Sequence, residues 1–401
     1  MPPATTPTAA PRRAGREAPF VFLVAGEESG DRLGAALMAA LRERSGGAVN
    51  FAGVGGRAMV APGLHNPFPI DELAIVGFGI VGKLPLILRR IRQTATAAVA
   101  ARSDVLVIID SPDFTHRVAR RVRAAAPDIP IVDYVSPSVW AWRPGRAHAM
   151  RAYVDHVLAL LPFEPKAHAD LGGPPCSYVG HPLIEQVAEL RPDAAETQRR
   201  ASDPPVLLVL PGSRRGEIAR MLPVFAEAID RLSARIGAFD LVMPTVPHLV
   251  ETLRAATATW RVAPRIVVDA AEKRAAFRVA RAALAKSGTV TLELALAGVP
   301  MVAAYKVSAF EAFVARRMVK VPSVILANLV LGDNIVPEFL QEAATPEALA
   351  DALAPLIADT PQRRRQTDAF ARLDAIMQIG SAVPSARAAE IVLRIARESR
   401  R

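Results

Sequence analysis

Cysteine is nearly absent: Cys176 stands alone among 401 residues. A single cysteine excludes an intrachain disulfide and any metal site built on cysteines. It suits a reducing cytoplasm. Aromatic residues are also scarce, at 5%. A protein that stacks bases would have little to stack them on, so no nucleic-acid partner is expected. The seven histidines fall into no metal-ligand pattern, and neither a metal nor another cofactor is expected. No run of about 18 residues is apolar enough to span a bilayer. Residues 1–18 are rich in Pro, Ala and Thr and lack a following signal core, so they read as a disordered tail.

What is present is a globular composition, 51% apolar and 22% charged, with length enough for two full cores. The net charge of +10 comes mostly from arginines spread over helices rather than gathered in one arm. Such a surface suits anionic lipid or a phosphorylated substrate. A GC-rich genome would enrich Arg and Ala as well.

Strands and helices alternate along the chain. Apolar runs at 20–25, 50–54, 105–110, 129–135 and 156–161 read as strands, with helices at 29–44, 83–102 and 114–126. The pattern repeats with strands at 206–210, 239–243, 265–268, 282–285 and 300–304. Alternation of this kind predicts α/β architecture, with doubly wound parallel sheets covered by helices on both faces. The polar, Pro-containing stretch 191–204 reads as a linker between domains 19–190 and 205–345. Residues 346–401 read as helices bracing both. Ligands of such sheets sit beyond the carboxyl ends of the strands, so a cleft between the domains is the expected active site.

The most informative segment is Leu210-Pro211-Gly212-Ser213-Arg214. It follows a strand apolar on both faces and precedes an amphipathic helix that starts near Glu217. A strand, a Gly/Ser turn and a helix start leave backbone N–H groups pointing outward, which suits an anion. Arg214 adds a fixed charge with a donor fork matched to phosphate. Lys286-Ser287-Gly288-Thr289 makes a second turn of this type after another short apolar run. Two phosphate-type turns in one half of a chain suggest a nucleotide diphosphate.

The segment Ala25-Gly26-Glu27-Glu28-Ser29-Gly30-Asp31 lacks the glycine spacing of a dinucleotide site. Its acids suit sugar hydroxyls better. Glu27, Glu28 and Asp31 either meet such hydroxyls or support the first helix, and Ser29 is the natural cap. Asp110 ends a buried strand, and Asp113 is placed to cap the following helix. Trp140, Trp142 and Arg143 either line an acyl or sugar surface or pack in a core. His181, between Gly180 and Pro182, reads as a loop histidine at a hinge.

These residues together carry a resemblance. Ile109-Asp110-Ser111-Pro112-Asp113-Phe114, Ser136-Pro137-Ser138-Val139-Trp140-Ala141-Trp142-Arg143, Leu161-Pro162-Phe163-Glu164 and Val179-Gly180-His181-Pro182 follow the first acidic turn in order. Leu210 to Arg214, Ser287 to Thr289 with Leu292-Glu293, and Ala327-Asn328-Leu329 complete the series. Over about residues 19–395 the chain resembles the lipid A disaccharide synthase family. The long Ser-Pro-Ser-Val-Trp-Ala-Trp-Arg string is the specific part.

The resemblance implies a GT-B fold and an inverting glycosyltransferase. The implied reaction moves 2,3-diacylglucosamine from its UDP derivative to the 6-hydroxyl of 2,3-diacylglucosamine 1-phosphate, releasing UDP. It implies no metal and work at the inner face of the bacterial inner membrane. Asp110 becomes the favoured general base, with Glu27 and Glu28 beside it. Ser213, Arg214, Ser287, Gly288 and Thr289 are placed to hold the diphosphate, Glu293 either meets the ribose or serves as a first-turn acid on the helix dipole, and by the resemblance Asn328 lies near the nucleotide. Asp113, Trp140 and Trp142 fall to the acceptor.

The family commonly carries Met-Gly-x-x-Glu-Val where this chain reads Val76-Gly77-Phe78-Gly79-Ile80-Val81, without the glutamate. Phe78 and Ile80 lie in a glycine-broken apolar stretch closed by Arg89, Arg90 and Arg92. Such a stretch suits the boundary of an anionic membrane, or else a core. Phe310 to Lys320 is a second basic, apolar stretch. The sequence specifies no oligomer. Two other functions compete: another UDP-sugar enzyme on the same fold, such as an epimerase or cell-wall transferase, and a noncatalytic nucleotide-binding membrane adaptor. The tryptophan string favours lipid A synthesis over the first, and intact Asp110, Arg214 and Ser287 argue against the second.

Overall fold

Short runs of Val, Leu, Ile and Ala form two six-stranded sheets, and every pairing in both is parallel. The computed structural model describes residues 18–66, 68, 80–318, 321–378 and 383–400. The first sheet contains β1 (Phe20–Ala25), β2 (Asn50–Val54), β3 (Val105–Ile109), β4 (Ile131–Tyr134), β5 (His156–Ala159) and β6 (Cys176–Tyr178). Its strand order is β2-β1-β3-β4-β5-β6. The second contains β7 (Val206–Leu210), β8 (Asp240–Pro244), β9 (Arg265–Val267), β10 (Ala282–Lys286), β11 (Met301–Tyr305) and β12 (Glu338–Leu340). Its order is β12-β11-β10-β7-β8-β9.

Both orders reverse once. The reversal lies between β1 and β3 in the first sheet and between β7 and β10 in the second. At such a point the connections leave in opposite directions, and a crevice opens beyond the strand ends. The two sequence segments rich in Gly and Ser, one acidic and one basic, follow β1 and β7, so the fold delivers each to a crevice.

The central strands are buried on both faces, which is why they read as continuous apolar runs. Val21, Leu23, Val107 and Ile109 face one core with the helices Glu28–Arg44 and Pro384–Glu398. Phe22, Val24, Leu106 and Ile108 face the other, with Ile80–Ala101 and Pro112–Ala125. In the second sheet Leu207, Val209, Leu241 and Leu284 pack against Arg215–Ile236 and Pro346–Ile357.

The chain divides into two units, Met1–Pro182 with Ile379–Arg401, and Leu183–Gln378. The sequence reading placed this division later, with a linker at 191–204. That stretch instead belongs to the second unit and contains the helix Ala194–Ala201. Asp193 and Glu196 form a reciprocal capping box at its start. Arg200 donates to the carbonyls of Phe277, Arg278, Ala297 and Gly298. The stretch is polar because it is a surface helix tied down by charged groups. The C-terminal helices also divide: Pro346–Ile357 packs in the second unit, whereas Pro384–Glu398 returns to the first. β6 and β12 escaped the sequence reading because each is a three-residue edge strand without a buried face.

Candidate functional site

Leu210 ends β7 and Lys286 ends β10, so the two phosphate-type turns flank the reversal point of the second sheet. Between them lies a pocket of about 400 Å³. Gly212, Ser213, Arg214, Gly288, Thr289 and Glu293 line it. Gly212 adopts φ +122°, and a Cβ there would sit 2.6 Å from Glu217 Oε2. Only glycine lets the turn approach the helix so closely. Arg214 precedes the first turn of Arg215–Ile236, with its side chain 73% exposed. Its guanidinium is therefore placed to meet a ligand rather than locked in the core.

Further residues complete the pocket. Glu217 is buried in the first turn of the same helix and accepts from Ser213 N at 3.1 Å. Lys286 Nζ lies 3.0 Å from Glu217 Oε1 and 4.5 Å from the Tyr305 ring centroid. Lys273 Nζ lies 2.5 Å from Glu293 Oε2. Thr245 Oγ1, from the turn after β8, is buried in the pocket wall with no hydrogen-bond partner among the described residues. An orphaned hydroxyl facing a cavity is suited to a ligand contact. Glu217 was readable only as a first-turn acid, and Lys286 only as the residue before Ser-Gly-Thr. Lys273 and Thr245 gave no signal, because they reach the pocket from other strand–helix units.

Two expectations shift. Ser287 is buried, and its N–H goes to Ala304 O at 3.0 Å, so it shapes the turn rather than lining the pocket. Asn328 is a clamp. Its amide donates to Ser323 Oγ and Val336 O, and its oxygen accepts from Ile335 N and Val336 N. All four of its hydrogen-bonding positions are filled, so it is not free to hold a nucleotide.

In the first unit, Asp110 leaves β3 at the reversal point. Its Oδ2 accepts from Ser29 Oγ at 2.8 Å, and its Oδ1 from Ser111 N at 2.7 Å. Asp110 and Ser111 both take left-handed backbone, φ 54° and 46°. Val135, after β4, has φ 86°, and Arg143 has φ 52°. Left-handed conformations at non-glycine residues cost energy, most of all at a β-branched valine, and they gather at functional sites. Here they cluster in the turns after β3 and β4. Gly26 is required beside them, since a Cβ on it would stand 2.7 Å from Ser111 Cβ.

Glu27, not Ser29, is the residue preceding the first helix, and its side chain makes no cap. Ser29 serves Asp110 instead. Glu27 and Glu28 are exposed beside it, with Glu28 paired to Arg32. Asp31 is buried and accepts from the N–H groups of Gly56, Ala58 and Met59, a purely structural task. Asp113 does not cap either, because its helix starts at Pro112. Its side chain is 91% exposed, with Arg146 at 3.7 Å.

The tryptophan string forms the turns after β4. Trp140 Nε1 donates to the buried Glu164 at 3.1 Å, and its ring meets Phe163 edge-on. Leu161 N donates to the other oxygen of Glu164 at 2.9 Å. Burial pushes the Glu164 carboxyl up to about 7 against these two donors. Trp142 is exposed, with the Arg143 guanidinium 4.4 Å above its ring. Trp140 is thus an anchor and Trp142 a surface residue. Burial also pushes the Cys176 thiol up and the His181 imidazole down to about 4. Phe78 lies outside the described residues. Ile80 opens the helix Ile80–Ala101, and its side chain lies outside them too.

Comparison with known proteins bears on the fold and the family. Among solved structures, UDP-GlcNAc 2-epimerase from Neisseria meningitidis bound to UDP-GlcNAc superposes with a TM-score of 0.61 at 10% identity, covering 94% of this chain and 99% of that one. The glycotransferase of kitacinnamycin gives 0.60 at 18% identity over 94% and 99%. At such identities the likeness concerns the fold alone, which is GT-B. The lipid-A-disaccharide synthase of Bradyrhizobium diazoefficiens is 64% identical over 95% of this chain and 97% of its own. That of Nitrobacter hamburgensis is 64% identical over 95% and 96%. The lipid-A-disaccharide synthetase family profile matches residues 21–392, and the chain belongs to this family.

Proposed function

We propose that this enzyme joins two acylated glucosamines into the lipid A disaccharide. It takes 2,3-diacylglucosamine from its UDP derivative and places it on the 6-hydroxyl of 2,3-diacylglucosamine 1-phosphate. The observation that carries the reading is the pair of reversal points. One presents a cationic pocket suited to a nucleoside diphosphate, and the other presents an oriented carboxylate.

In the proposed step the acceptor 6-oxygen attacks the donor anomeric carbon from the face opposite the diphosphate. The carbon–phosphate-oxygen bond breaks, and the configuration inverts. Asp110 takes the hydroxyl proton. Its Oδ1 and Oδ2 each already accept one hydrogen bond, and the carboxylate keeps lone pairs for the proton. Negative charge grows on the leaving diphosphate. Arg214 and the N–H groups of the Gly212–Arg214 turn stabilise that charge more than they stabilise the ground state. Glu27, Glu28, Asp113 and Trp142 serve the acceptor side.

The substrates carry acyl chains, and no helix among the described residues is long and apolar enough to cross a membrane. We place the enzyme on the anionic inner face of the inner membrane, held by apolar and basic surface residues. Phe313 is exposed on the helix Ala309–Met318, beside Arg316 and Arg317, and supports this placement. The test is purified enzyme with both lipid substrates in mixed micelles. UDP release that requires both lipids supports the reading, and its absence, or release from the donor alone, overturns it.

A further inference from the structure

A pocket built for an anion contains a buried anion of its own. Glu217 is 6% exposed and sits in the first turn of a helix whose start faces the pocket. Three donors from two chain segments, the turn Ser213-Arg214 and the end of β10, converge on its carboxylate. Lys286 Nζ, at the end of β10, lies 3.0 Å from Oε1, and Arg214 Nη1 lies 3.5 Å from the same oxygen. Ser213 N donates to Oε2 at 3.1 Å. Gly212 gives up its side chain to make room for that oxygen.

A carboxylate in this place repels a diphosphate, so a purely attractive site would omit it. It also does something a ligand would otherwise have to do. Without Glu217, Lys286 and Arg214 would repel each other across the empty pocket, and the Ser213 amide would lack an acceptor. A buried cation left unpaired is strongly unfavourable. The carboxylate supplies one negative charge to two cations, leaving the group net positive and ready for a further anion.

We propose that Glu217 is an internal stand-in for the donor's diphosphate. It holds Lys286, Arg214 and the Ser213 amide in place while the pocket is empty. An arriving diphosphate takes a share of these donors, and Glu217 reclaims them when the nucleoside diphosphate leaves. Lys286 is thereby a phosphate-binding residue, and Glu217 is a positioning residue that keeps product affinity low. This inference rests on the donor-site reading above.

Calorimetry with UDP tests it, using the full chain and the variants Glu217→Gln and Glu217→Gln/Lys286→Met. Glutamine keeps the shape and an acceptor oxygen but removes the charge. Glu217→Gln should therefore bind UDP several-fold more tightly, and its steady-state turnover should become more sensitive to inhibition by added UDP. In the double variant no buried carboxylate is stranded, so a folding defect is avoided. It should bind UDP about tenfold more weakly than Glu217→Gln alone, as expected for losing a charged hydrogen bond. Uridine, which lacks phosphates, should bind all three proteins alike. If UDP binds the unaltered chain but the two variants bind it equally, Lys286 is no phosphate ligand and this inference alone fails. Weaker UDP binding by Glu217→Gln overturns the stand-in role. If the unaltered chain does not bind UDP at all, the donor-site reading falls and takes this inference with it.

Discussion

Ser29 Oγ donates to Asp110 Oδ2 at 2.8 Å, joining the first turn of the helix Glu28–Arg44 to the end of β3 across the reversal point of the first sheet. The two residues are 81 positions apart in the chain. Ser29 stands inside the first turn, where it holds a carboxylate, and the helix starts after Glu27 without a side-chain cap. Foregoing a cap costs about 0.5–2 kcal/mol. Together with the left-handed Asp110 and Ser111, it marks a place where stability yields to orientation.

Asp110→Asn should lower turnover by about 10²–10⁴ while UDP binding persists, since the change keeps the shape and removes the base. Ser29→Ala should cost less, about tenfold in kcat, because the base remains but loses one orienting donor. Ser29→Thr should recover part of that loss. Single-turnover assays with saturating lipids check this. Near-normal turnover in Asp110→Asn would transfer the role of base to another group.

Arg214→Ala should weaken UDP binding and slow transfer by about 10²-fold or more, as charge on the departing diphosphate loses its partner. Arg214→Lys should restore only part of this, since the two-pronged donor is lost. The side chain is largely exposed, so the melting temperature should hardly move. Calorimetry and thermal denaturation together separate these outcomes, and unchanged UDP affinity in Arg214→Ala would place the phosphate site elsewhere.

The sequence made the strands legible because buried parallel strands are apolar on both faces, and nearly all were found within a residue or two. It made the two pocket-flanking turns legible because glycine and serine stand next to a basic residue in each, Arg214 in one and Lys286 in the other. It did not show Glu217 or Lys286 as partners, because their bond crosses from helix to neighbouring strand. Asn328 looked functional because it stands in the Ala327-Asn328-Leu329 string that carries the resemblance, and its filled hydrogen bonds give it a structural task instead. The linker was misplaced for a related reason. A helix held to its domain by Arg200 and Arg278 has the same composition as a solvated connector.

Chelation by EDTA should leave turnover unchanged. Among the described residues no three His, Cys, Asp or Glu side chains cluster as a metal site. Arg214, Lys286 and the backbone N–H groups of the turn offer the positive environment a metal would otherwise supply. Loss of activity in EDTA that Mg²⁺ restores would contradict this.

Stability should depend on pH through Glu164. Burial raises its carboxyl from 4.5 to about 7. Between these values the folded chain retains a proton that the unfolded chain has lost, so this group makes stability fall as pH rises. Above about 7 both states are ionised and the dependence ends. Glu164→Gln should flatten that part of the profile, whatever constant loss it adds by disturbing Trp140 and Leu161. Denaturant midpoints followed by tryptophan fluorescence provide the measurement, and an identical slope in the variant would assign the titration to another group.

Membrane binding should be electrostatic and apolar together. Phe313 is 55% exposed, and the Arg317 guanidinium lies 3.6 Å from its ring centroid. Arg220, Lys306 and Arg316 line the same hollow, where Glu342 pairs with Arg316 and Glu311 lies 3.9 Å from Arg220. An exposed aromatic ringed by cations suits an interface, where the ring enters the acyl boundary and the cations meet anionic head groups. Each cation near such a surface contributes about 1 kcal/mol, screened by salt. Flotation with anionic vesicles should therefore weaken as salt rises and vanish with neutral vesicles. Phe313→Ser with Arg317→Gln should reduce it, and so should Phe78→Ser with Ile80→Ser, while UDP binding and the fold persist in both. Vesicle binding that neither pair of substitutions diminishes would return both stretches to ordinary packing and require a different surface to meet the lipid.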